Sequence, residues 1–180
     1  KTHKVEIAYK SKGKKNEGTA LVRNLIGNSK TLTINMALAV EKGEVHGMPG
    51  AATGATKGDK SNESNGRGTD ISTDVGAGHT IYTKSSGGTI REERLSVSDM
   101  LDHELVHAFA QMNGEEIADG TMKHSYEVPD GTTRKETISK EEGATVGFSI
   151  RQSSKGIKYT TENNLRFEQG KTERLNYYEY

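Results

Sequence analysis

The segment from Val97 to Asn113 constrains this chain most. Met100, Leu101, Leu105, Val106, Ala108 and Phe109 recur at helical spacing. Ser96 or Ser98 offers an N-cap, and Gly114 stands at the C′ position. A helix with so many apolar positions is substantially buried. Yet it also carries His103-Glu104-Leu105-Val106-His107. Burying two imidazoles and a carboxylate without partners is costly. The fold must therefore bring partners to this helix.

A metal ion is one such partner. Positions i and i+4 share a helix face, so His103 and His107 can reach one zinc ion. Glu104 is displaced around the helix, where it can contact a water at the metal and take its proton. This is the metallopeptidase helix pattern. A zinc site of this class needs a third protein ligand and an open position. The chain has no cysteine, so thiolate ligands and disulfides are excluded. No third histidine follows at the short His-x-x-Gly-x-x-His spacing. Glu141 and Glu142 open a later helical segment and offer a carboxylate. Ser139 and Glu142 also form a capping-box pattern, so capping and metal ligation compete for the Glu142 side chain.

Composition narrows the function class. Lys plus Arg equals 25 and Asp plus Glu equals 25, for a formal net charge of zero. That disfavours a nucleic-acid-binding toxin domain, which carries a basic excess. The basic cluster Lys10, Lys12, Lys14 and Lys15 reads as a solvated turn. No apolar run approaches the ~20 residues of a membrane span. Hydrophobic residues make up 31% of the chain, which implies a small core and much loop.

The 180 residues read as a single domain spanning 1–180. His3 to Tyr9 alternates as a strand, and Lys12 to Gly18 reads as a polar turn. Ala20 to Ile26 fits strand or helix. Thr31 to Ala37 reads as a strand with Leu32, Ile34 and Met36 on one face. Gly47 to Gly78 is rich in Gly, Ala, Thr, Ser, Asn and Asp and reads as a long mobile loop. His79 to Thr83 is β-prone and is expected to be an edge strand. Thr80, Ile81 and Tyr82 would then bind an extended substrate through free backbone groups. Thr121 to Thr137 reads as a hairpin turning at Pro129-Asp130-Gly131. A helix is expected from Ser139 to about Ile150, and another around Asn163 to Gln169, before an irregular tail. Strands first and helices second give an α+β fold.

Four motifs occur in order: His103-Glu-Leu-Val-His-Ala108, then Glu141-Glu142-x-x-Thr145-Val146-Gly147, then Thr161-Glu162-Asn163-Asn164, then Arg174-x-x-Tyr177. The set resembles the bacterial effector zinc metalloproteases of the NleD-like type, which are injected into host cells and cut MAP kinases. It is also similar to a minimal clostridial neurotoxin light chain. The resemblance covers about residues 98 to 180. It implies a gluzincin-type zincin fold, with a small mixed or antiparallel sheet, an active-site helix and C-terminal helices. It implies one zinc ion held by His103, His107 and Glu142, with Glu104 as general base. Glu141 and Glu162 would be carboxylates behind the ligands. Arg174 and Tyr177 would face the scissile carbonyl as catalytic groups. Gly143 departs from the pattern, which has a larger residue there. The chain is also much shorter than a neurotoxin light chain, so those substrates do not transfer.

The reading is a zinc-dependent endopeptidase that hydrolyses a protein in a target cell. It would be secreted or injected by a bacterial secretion system and act in the target-cell cytoplasm. A producing cell would need a cognate immunity protein. The alternative is a catalytically inactive zinc-bearing module that binds protein. The presence of Glu104, the residue cheapest to lose in a dead enzyme, disfavours it.

Overall fold

The computed structural model describes residues 17–37, 51–55, 66–74 and 79–178. The expected strand at His3 to Tyr9 and the lysine cluster lie outside these residues. Four helices and eight strands run in the order α1 (Glu17–Ile26), β1 (Leu32–Ala37), β2 (Ala51–Ala55), β3 (Thr69–Asp74), β4 (Thr80–Lys84), β5 (Ile90–Arg94), α2 (Val97–Asn113), β6 (Thr121–Glu127), β7 (Thr133–Ser139), α3 (Lys140–Val146), α4 (Glu162–Glu168) and β8 (Glu173–Arg174), counted among the described residues. The fold is mixed α+β.

Helix α2 organises the rest. Its N-terminus is a full capping box: Ser96 Oγ accepts from the Asp99 amide at 3.2 Å, and Asp99 Oδ2 accepts from the Ser96 amide at 2.9 Å. Its end is set by Gly114 at φ 65°, a left-handed conformation that a side chain disfavours. Leu105, Val106, Phe109 and Met112 of α2 pack with Leu21 and Leu25 of α1, Ile71 of β3 and Leu165 of α4. Near the start of α2, Met100 packs instead with Ile81 and Leu95. The central helix is thus covered along most of its length.

The expectation of one small sheet is replaced by three small sheets. In the first, β3 lies between β1, which is parallel to it, and β2, which is antiparallel. Two of these strands fall within Gly47 to Gly78, so that stretch is not simply a loop. Its polar, small-residue texture hid strand β3, whose one large apolar residue, Ile71, is fully buried against α2. Gly66 at the approach to β3 leaves no room for a side chain: a Cβ there would meet the Met112 carbonyl oxygen of α2. The ambiguous segment at Ala20 to Ile26 is helical. Leu32 packs on the main core, whereas Ile34 is 40% exposed, because β1 is an outer strand.

The second sheet has the order β5-β4-β8, all antiparallel. The expectation that His79 to Thr83 is an edge strand fails here. Ile81 pairs with Glu93 of β5. On the other side, the Tyr82 amide donates to Asn176 Oδ1 at 2.5 Å and its carbonyl accepts from the Leu175 amide at 2.9 Å. The neighbours that close both sides, β5 and β8, were not visible as strands: one reads Ile-Arg-Glu-Glu-Arg and the other is two residues long. The third sheet is the β6–β7 hairpin, paired from Thr121↔Ser139 to Glu127↔Thr133.

The hairpin feeds directly into α3, with Ser139 as N-cap. That helix ends at Val146, short of the expected Ile150, because Gly147 takes φ 109°. Gly143 faces Met122 of β6 so closely that a Cβ would lie 2.2 Å from its sulfur. The larger residue of the family pattern would require Met122 to move.

Candidate metal centre

Glu142 resolves the competition between capping and ligation. Ser139 Oγ accepts from the Glu142 amide at 3.0 Å, which caps the helix. The Glu142 side chain is left to reach α2, and its Oε2 lies 3.0 Å from Nε2 of both His103 and His107. The two Nε2 atoms are themselves 3.0 Å apart. His103, His107 and Glu142 form a group that can hold a metal ion.

The far side of each imidazole decides what the near side can do. His103 Nδ1 donates to Glu162 Oε2 at 2.8 Å, and His107 Nδ1 donates to Glu141 Oε1 at 3.0 Å. Both carboxylates are held ionised. Burial opposes the charge on Glu141, but His107 and Arg151 prevail and bring it to about 2. Burial also opposes the charge on Glu162, and Arg174 with His103 overcomes it. A neutral imidazole that donates its Nδ1–H to a carboxylate keeps that proton and presents an Nε2 lone pair. Two such lone pairs and a carboxylate oxygen converge at the corners of a triangle with 3.0 Å sides. Three acceptors so placed need a positive charge. Extra protons are one source: burial opposes charge on His107, yet Glu141 and Glu142 push it up to about 10. A divalent cation is the other, and bonds of about 2.0–2.1 Å from each donor fit over such a triangle.

Glu104 is buried on the same helix, and its charge acts on both His107 and Tyr177. Tyr177 lies beside His103. Its ring centroid is 6.0 Å from that of His103. Burial pushes the pKa of its phenol far above the usual range, reinforced by Glu142, so the hydroxyl keeps its proton.

Arg174, expected from the resemblance to face the scissile carbonyl, makes three hydrogen bonds within the protein. Its Nη1 donates to Glu162 Oε2 at 2.7 Å, its Nε to the Asn176 carbonyl at 2.8 Å and its Nη2 to the Tyr177 carbonyl at 2.8 Å. Arg174 is turned inward, where it joins the carboxylate behind His103 to the backbone that carries Tyr177. Glu136 of β7 fixes the same tail by accepting from the Tyr177 and Tyr178 amides at 2.8 and 3.2 Å. Asn163 clamps Arg174 through both its amide and its carbonyl, at 2.7 and 3.1 Å.

Thr80, Ile81 and Tyr82, expected to bind substrate along a free edge, lie on β4, between β5 and β8. Ile81 and Tyr82 are buried in separate apolar clusters, and their strand is internal to its sheet. Several contributors were missed from the sequence: Arg151, Asn163, Asn176 and Glu136. Of these, Asn163 and Asn176 fall within the quoted motifs, at positions to which the sequence reading gave no role. Arg151 and Glu136 follow no periodicity that ties them to α2.

Comparison with curated proteins and with solved structures gave no match. A family model described as effector protein, Peptidase_M91, matches residues 2–177. That span takes in every residue of the triangle and its supports, and the chain belongs to the Peptidase_M91 family of effector proteins.

Proposed function

We propose that this chain is a zinc-dependent endopeptidase of gluzincin type, delivered by bacteria into a target cell to cleave a protein there. One observation carries the reading: both histidines of the buried pair donate Nδ1–H hydrogen bonds to carboxylates, and two Nε2 atoms and Glu142 converge with 3.0 Å separations. Membership of an effector peptidase family supports the substrate class and the delivery. Among the described residues no helix is long and apolar enough to cross a membrane.

In this mechanism His103, His107 and Glu142 would hold the ion, and a zinc ion there would supply polarisation of the carbonyl and a lower pKa for water. Glu104, buried within electrostatic reach of His107 and Tyr177, accepts the proton of the attacking water and passes it to the leaving amine. The Tyr177 hydroxyl, which retains its proton, donates to the developing oxyanion. Arg174 keeps Tyr177 and Glu162 in register through its three contacts. Glu141 and Glu162 hold the two imidazoles in the tautomer that leaves Nε2 open.

The test is cleavage of an unfolded protein by the purified chain, with and without a chelator, followed by identification of new N-termini in a target-cell lysate. Cleavage that stops with chelator and returns with zinc supports the reading. Cleavage indifferent to chelator contradicts it. Zinc bound without any cleavage leaves a zinc-bearing binding module.

A further inference from the structure

Glu141 and Glu142 are neighbours on α3, and both touch the histidine pair. Each is a carboxylate beside the histidines that would hold an ion, so something must keep one of them from competing for it. The Glu141 carboxylate is saturated. Its Oε1 accepts from Arg151 Nη2 at 2.6 Å and from His107 Nδ1 at 3.0 Å. Its Oε2 accepts from Arg151 Nη1 at 2.6 Å and from the Ile117 amide at 2.8 Å. The Arg151 fork therefore grips both oxygens, the strongest geometry an arginine and a carboxylate can adopt.

Arg151 is itself held. Its side chain is 3% exposed. Its Nη1 also donates to the Glu115 carbonyl at 2.9 Å, just past the end of α2, and its Nη2 to Thr145 Oγ1 at 3.3 Å. Its guanidinium lies 5.3 Å from the centre of the Tyr159 ring, and the Tyr159 hydroxyl donates to Glu115 at 2.9 Å. The result mirrors the other histidine. His103 is backed by Glu162 and then Arg174, and His107 is backed by Glu141 and then Arg151. The grips differ: Arg174 meets one oxygen of Glu162, whereas Arg151 meets both oxygens of Glu141.

We propose that Arg151 is a positioning residue of the metal centre: by clamping both oxygens of Glu141 it fixes the orientation of His107 and keeps Glu141 from competing with Glu142 for the ion. This rests on the reading of the site as a zinc centre. The fork is what the role requires, because a lysine at this position presents a single point charge and cannot hold two oxygens at once.

The test measures zinc affinity by competition with a chromophoric chelator in wild type, E141Q, R151K, R151M and the E141Q/R151M double variant. Melting of each metal-free protein reports folding separately. Losing a group behind a metal ligand typically weakens affinity about 10–100-fold, and that loss is expected for E141Q and R151M. R151K, which keeps the charge but not the fork, should fall between wild type and R151M. The double variant should bind zinc as E141Q does, because Arg151 acts through Glu141 and its loss adds nothing once Glu141 is changed. An R151M affinity equal to wild type overturns the proposal, as does a double variant whose loss is the product of the two single losses. If R151M does not fold, the double variant, which buries no unpaired charge, is compared with E141Q alone, and R151K with wild type. Equal affinities in the first comparison and a loss in the second support the proposal, and the reverse overturns it. Failure of the wild type to bind zinc would instead contradict the zinc reading itself.

Discussion

Nε2 of His103 and Nε2 of His107 lie 3.0 Å apart on one face of α2, and each is 3.0 Å from the same oxygen of Glu142. Burial of both rings keeps water from relieving the convergence of acceptors. The carboxylates behind the rings, Glu162 and Glu141, fix which nitrogen carries the proton. A site of this construction separates into groups that hold, groups that react and groups that orient, and each class fails in its own way.

Glu104 belongs to the reacting class. It is no member of the ligand triangle, and glutamine matches its shape. Glu104→Gln should therefore keep the fold and one zinc per chain while peptidase activity falls at least about 100-fold, the lower range for a positioned base. Activity assay and elemental analysis on one preparation decide it. Full activity in this variant would remove Glu104 from the chemistry.

Tyr177 is expected to act only when the oxyanion forms. Tyr177→Phe should lower kcat by about 100–1,000-fold and leave KM nearly unchanged. Steady-state kinetics on a cleaved peptide separate the two parameters. A change confined to KM would make the tyrosine a substrate contact, and a loss below about tenfold would make its contact with His103 a packing one.

The metal-free protein should show an unusual pH dependence of stability. Burial opposes charge on His107, but Glu141 and Glu142 push it up to about 10 from an ordinary 6.5. A raised folded pKa stabilises fully below 6.5 and is lost as pH rises through about 10. Burial also opposes charge on Glu141, but His107 and Arg151 hold it near 2 against an ordinary 4.5, so its contribution is present above 4.5 and is lost as pH falls through about 2. Stability in chelator should peak between pH 4.5 and 6.5 and decline on both sides. Zinc competes with the imidazole protons, so the rise in Tm on adding zinc should be larger at about pH 8 than at about pH 5. Thermal melts across pH, with chelator or with zinc, measure both. A Tm in chelator that stays level between pH 6.5 and 10 would contradict the assignment of the extra protons to the histidine pair.

Much of the site was legible because its residues sit in short local patterns. The spacing of His103 and His107 works through one helical turn, and Ser139 with Glu142 signals a helix start, so local geometry alone brings them near the right places. Glu162 was reached through its motif on the capped helix after Thr161. Arg151 and Glu136 act across gaps in sequence with no repeating spacing, and nothing local marks them. The fold was less legible for a related reason. Strand β3 presents one large apolar residue, Ile71, and β5 is mostly charged, so neither alternates clearly. The interior position of β4 depends on a pairing with β8 far along the chain, and an isolated β-prone segment cannot reveal whether its edge is taken.

The central claim is that His103, His107 and Glu142 together hold one zinc ion. Elemental analysis of the purified chain after dialysis against zinc-free buffer tests it most directly, with wild type, Glu142→Gln and His107→Ala side by side. The account predicts one zinc per chain in the wild type and a large loss in both variants, with each variant still folded by circular dichroism. A wild type without zinc, or a Glu142→Gln variant that retains it in full, would contradict the claim.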